Sequence, residues 1–63
     1  MISRYEFIII FENLLPNYTV KHTFVSYSDF ITAWIEALQY ATHELDSTPH
    51  NRKYWIIRSI TVK

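Results

Sequence analysis

An α+β fold of the ββαβ type is what this chain predicts: a three-stranded antiparallel sheet in the order 2-1-3, with one helix packed on one face. Three observations carry the prediction. Residues 5–11 and 54–62 are rich in β-branched and aromatic residues and apolar on both of their alternating sides; residues 18–25 alternate; and residues 30–45 repeat apolar side chains at spacings of three and four. The chain of 63 residues makes one domain, 1–63, near the lower size limit for folding without a covalent or metal staple.

The first strand is expected from about Arg4 to Glu12. Tyr5, Phe7, Ile9 and Phe11 fall on one side of it, and Glu6, Ile8, Ile10 and Glu12 on the other. The reversal Asn13-Leu14-Leu15-Pro16-Asn17 is short enough for a hairpin into Tyr18–Val25. Pairing Glu12 with Asn17 sets Phe11 against Tyr18, Ile9 against Val20, Phe7 against His22 and Tyr5 against Phe24. That register gathers the aromatic residues of both strands on one face. The other face then carries Ile8 and Ile10 beside Thr19, Lys21, Thr23 and Val25.

Helix onset has two signals: Ser26 with Asp29 three residues on, and Ser28 before an acidic first turn. Either serine is the expected cap. Ala33, Trp34, Ala37, Leu38, Ala41 and Leu45 form the stripe, with alanines allowing close approach and Phe30, Trp34 and Leu38 filling the gaps. Ile31 and Ile35 lie beside the stripe, partly exposed. Asp46–Lys53, polar with one proline, reads as a loop. The third strand is expected over Tyr54–Val62, and the first strand, the most apolar, as the central one. Strict alternation places Arg58 among inward residues. A bulge near Arg58 and Ser59 instead turns Trp55 and Ile57 to the core with Ile60 and Val62.

Composition narrows the function. There is no cysteine, which favours a reducing compartment, here the cytoplasm. Six basic and six acidic residues give a formal charge of zero, so the field that draws proteins to nucleic acid or anionic membrane is missing. The opening MISRYEF and the short run Phe7–Phe11 predict neither a signal peptide nor a membrane span. With no glycine, phosphate-cradling loops and Asn-Gly hairpins are ruled out.

No catalytic constellation stands out. His22, His43 and His50 lack metal spacing, and Glu6 and Glu12 lie about 20 Å apart along an extended strand, too far for shared acid–base work. The expectation is no enzyme, no metal and no cofactor. His22 stands out among the histidines, since it falls on the core face. His50-Asn51-Arg52-Lys53 followed by Tyr54 and Trp55 mixes cations with aromatics, so an alternative reading is a single-stranded nucleic-acid accessory protein. It would use Arg52, Lys53, Tyr54 and Arg58 with the sheet aromatics.

The segments HTFVSYSDFITAWIEAL, 22–38, and WIIRSITV, 55–62, resemble the many tiny strand-strand-helix-strand proteins encoded by bacterial viruses and mobile elements. The resemblance implies a non-enzymatic intracellular protein, some such proteins being inhibitors that bind a host or defence protein. The residues themselves point the same way. One helix covers one face of the sheet, and the uncovered face is too apolar to be left in water. The expected interface is Ile8, Ile10, Lys21, Val25 and Trp55, with Ile56 in place of Trp55 if the third strand runs in the other phase. Its expected occupants are a second copy and a protein partner, held through the sheet face or the edge strands.

Overall fold

The computed structural model describes residues 3–47 and 52–63, the side chain of Arg52 apart. Three strands, β1 (Tyr5–Leu14), β2 (Asn17–Ser26) and β3 (Trp55–Val62), form one sheet in the order β2-β1-β3, with both pairings antiparallel. Among the described residues one α-helix, α1 (Phe30–Asp46), lies between β2 and β3 in sequence and packs on one face. This is the ββαβ arrangement that the apolar pattern predicts. Arg52–Tyr54 form a 3-10 turn that leads into β3, so that strand starts at Trp55 and not at Tyr54.

The hairpin closes more tightly than the sequence suggests. Leu14 pairs with Asn17, leaving a two-residue reversal of Leu15 and Pro16 joined by a cis peptide, the arrangement of a type VI turn. Asn13 is buried there, and its Oδ1 accepts from the Leu15 amide at 3.4 Å. The register is therefore two residues from the expected one: Phe7 faces Phe24, Ile9 faces His22 and Phe11 faces Val20. A slip of two preserves parity, so every side chain of β1 and β2 keeps its expected face.

β3 carries the bulge. Ser59 pairs with Ile10 and Ile57 with Phe11, which leaves Arg58 as the extra residue. Trp55, Ile57 and Ile60 consequently all pack on the helix side. Without the extra residue, either the pair Trp55 and Ile57 or Ile60 would point away from the core.

α1 is capped by Asp29, not by a serine. The Asp29 carboxylate accepts from the Thr32 amide at 3.2 Å and from the Thr32 hydroxyl at 2.7 Å. These bonds hold its pKa below the ordinary carboxylate value. Ser26 and Ser28 have another use: both hydroxyls donate to the Glu36 carboxylate, which ties the strand-to-helix connection onto the second turn of the helix. At the other end the Ser47 amide and hydroxyl donate to the carbonyls of His43 and Glu44. Of the expected Asp46–Lys53 loop, Asp46 closes the helix and Lys53 lies in the 3-10 turn, while 48–51 lie outside the described residues.

The core is thin and built on small residues. Phe7, Ile9, Ala33, Ala37 and Ala41 have no exposed surface, with Phe11 and Leu45 nearly as deep. The alanines bring the helix backbone close to the sheet, and aromatic rings seal the sides. Phe7 meets Trp34 edge-on at 4.9 Å between ring centroids, and Phe24 stacks on Tyr40 at 5.0 Å. Leu38 does not fill a gap as expected. It is 49 % exposed, because the buried sector centres on Ala37 and a one-residue step turns the side chain about 100° around the helix.

Candidate interaction surface

The face of the sheet opposite α1 is built by the second parity set of each strand. Down its centre run Ile8 and Ile10, flanked by Thr23 and Thr61 at Ile8 and by Lys21 and Ser59 at Ile10. Val25 stands at one corner opposite Glu6, and Ile56 at another opposite Glu12. Ile8, Ile10 and Val25 are half-buried by their neighbours within the sheet alone, and Ile56 is exposed. Three strands about 4.8 Å apart and about 30 Å long give the whole face, polar border included, roughly 400 Å².

Ion pairs close both ends of the apolar strip. The bulge residue Arg58 places Nη1 2.8 Å from Glu12 Oε1. At the other end Lys63 Nζ lies 3.1 Å from Glu6 Oε2 and Arg4 Nη2 lies 3.3 Å from Glu6 Oε1. The hydrogen bond from Lys63, with the charges of Lys63 and Arg4, holds the Glu6 carboxyl below its ordinary value of 4.5. A depressed folded-state pKa contributes stability at pH values above 4.5, and that contribution is lost as pH falls through the lowered value. Glu6→Gln should therefore make the acid limb of a plot of melting temperature against pH shallower. Thermal melts from neutral pH to about pH 3 check this, the expected effect being small for so exposed a pair.

Of the expected interface residues, Ile8, Ile10, Lys21 and Val25 lie together on this face. Trp55 does not. The bulge turns it to the helix side, where it packs against the core and meets Tyr18 edge-on at 5.4 Å; Ile56 holds the place expected for it. Lys21 is exposed, and among the described residues no carboxylate lies within ion-pair distance of it. The face thus offers an apolar strip with one uncompensated cation beside its centre.

The structure describes the side chains of three of the four residues of the nucleic-acid reading, Lys53, Tyr54 and Arg58. Arg58 is held by Glu12 on the open face, Lys53 sits 5.0 Å from the centre of the Tyr54 ring, and the side chain of Arg52 and all of His50 lie outside the described residues.

His22 is half-buried on the helix side. It stands edge-on to Phe11 at 5.0 Å, with Nδ1 3.1 Å from the Tyr40 hydroxyl. Burial, with the nearby charge of Glu44, raises the Tyr40 pKa above its ordinary 10.0, so the phenol is protonated at neutral pH and can donate this bond. Sequence reading passes over Tyr40, whose only signal is its spacing of three residues from Ala37. Beside this pair Phe11, Val20, Leu45 and Trp55 wall a cavity of about 100 Å³, with His22 and Glu44 completing its lining. Such a space is smaller than the roughly 150 Å³ that holds benzene in an apolar core. No three His, Asp or Glu side chains among the described residues come together as a metal site, and no described helix is long and apolar enough to cross a membrane.

Comparison with protein families, curated proteins and solved structures gives no match to this chain.

Proposed function

We propose that this chain is a non-enzymatic interaction protein that self-associates and holds a protein partner on its open sheet face. The observation that carries the reading is the strip of Ile8, Ile10, Val25 and Ile56, which no element among the described residues covers and which ion pairs close at both ends. An apolar strip bounded by charge resembles the dry centre and polar rim of a protein interface. Lys21, with no carboxylate beside it among the described residues, specifies the complement: an apolar surface with an acidic group set to one side of its centre. The class of occupant suggested by the resemblance of 22–38 and 55–62 to small viral and mobile-element proteins is a host or defence protein, inhibited by the contact. This reading calls for no metal or cofactor.

A photoreactive benzophenone residue placed at Ile10 tests it in the cells that make the protein. The expected result is one discrete adduct with a single protein species, absent when the same group replaces Lys53 away from the strip. Adducts with nucleic acid, or none at position 10, would contradict it.

A further inference from the structure

We propose that the half-open cavity beside His22 and Tyr40 is a binding site for a methylated ammonium group. It lies between the last turn of α1 and the hairpin end of the sheet, and its lining is mainly apolar. Phe11 and Trp55 contribute aromatic rings, and Val20 and Leu45 branched aliphatic side chains. One lining group does not belong in an apolar hollow. Glu44 is half-buried, and among the described residues no cation lies within ion-pair distance of its carboxylate. It also stands in the last turn of α1, where the carbonyl end of the helix adds to the negative potential. The two together select a cation.

The kind of cation follows from how little else the lining offers. Of the lining side chains, all among the described residues, Glu44 and His22 alone carry acceptors, and the Tyr40 hydroxyl already stands 3.1 Å from His22 Nδ1. A primary ammonium brings three N–H donors and a metal ion needs several ligands, so either would give up more water than the cavity replaces. A neutral apolar molecule suits the walls but takes water from Glu44 and returns nothing. Methyl groups on the nitrogen remove the donors and spread the charge over an apolar surface, the form of cation that aromatic rings hold. Size agrees. A nitrogen with three methyl groups has four heavy atoms to benzene's six, so it needs about two-thirds of the roughly 150 Å³ that holds benzene. The cavity has about 100 Å³.

The site is on the helix side of the sheet, away from Ile8 and Ile10, and does not depend on the interaction-protein reading. Each can fail without the other.

Tetramethylammonium is the probe, and the indole N–H resonances of the two tryptophans are the readout. Trp55 should shift saturably, while Trp34, which packs on Phe7 in the other part of the core, should not. tert-Butanol has the shape without the charge and ammonium the charge without the methyl groups; each should bind at least about tenfold more weakly. Glu44→Gln should weaken tetramethylammonium binding at least about fivefold with the melt unchanged. Val20→Phe, which fills the cavity from β2, should abolish it; if that variant melts early, Glu44→Gln decides. A Trp55 resonance that does not respond, an equal response to tert-butanol, or unchanged binding in Glu44→Gln overturns the inference. Choline in solution and phosphatidylcholine vesicles present the same head on a free solute and on a lipid. Binding to either supports the site and identifies the source, and binding to neither overturns it.

Discussion

Phe7→Ala should shift the thermal unfolding of this protein down by at least about 12 °C, or abolish the cooperative transition. Phe7 has no exposed surface, packs against the alanine face of α1 and supports Trp34 edge-on, so its removal leaves a cavity that neighbouring β-strands cannot collapse into. Truncations of this kind cost about 3–5 kcal/mol. A domain of this size has only about 3–9 kcal/mol in total, at roughly 0.05–0.15 kcal/mol per residue. In a domain this small each kcal/mol moves the midpoint by about 4–8 °C. Differential scanning calorimetry reads the shift directly. A midpoint within about 5 °C of the unsubstituted chain would mean that the helix does not sit over Phe7.

Parity was legible in the sequence, and absolute position was not. The alternation in residues 5–11 and 18–25 assigns each side chain to a face, and that assignment survives the two-residue difference in hairpin register because faces repeat every second residue. The difference itself came from the turn, where Leu15 and Pro16 close in two residues a reversal that the absence of glycine had suggested was longer. In β3, strict alternation conflicted with the apolar content, and a conflict of that kind is what a bulge resolves. Arg58 is the extra residue, and it is free to leave the inward set because Glu12 meets it on the open face.

The helix was harder to orient, because apolar residues spread around most of it from Phe30 to Leu38. Periodicity says that these positions align; it does not say which sector touches the sheet. Close approach selected the smallest side chains, and Ala33, Ala37 and Ala41 took the contact while Ile31, Ile35 and Leu38 were left outside. The cap is ambiguous in the sequence for a related reason. Ser26, Ser28 and Asp29 are all competent caps, and only the three-dimensional position of Glu36 shows that the two serines are already occupied. On the open face of the sheet, the places of Ile8, Ile10, Lys21 and Val25 are legible from parity in β1 and β2, and that of Trp55 is not, since its face depends on the bulge.

The central claim, that the uncovered face of the sheet is where a partner binds, is most directly tested by Ile8→Lys. Ile8 is the cleaner of the two central positions: its cross-strand neighbours are Thr23 and Thr61, whereas Ile10 faces Lys21, and a second lysine there would add repulsion within the fold itself. On a solvated face the new ammonium keeps its water. In a closed interface it is buried without a partner, at a cost large against the binding energy. The measurement is the dissociation constant for the protein cross-linked from position 10, taken beside the melting temperature of the variant. The account predicts a melt within a few degrees of the unsubstituted chain and affinity at least tenfold weaker, about 1.4 kcal/mol or more. Unchanged affinity, or a chain that no longer folds, would contradict it.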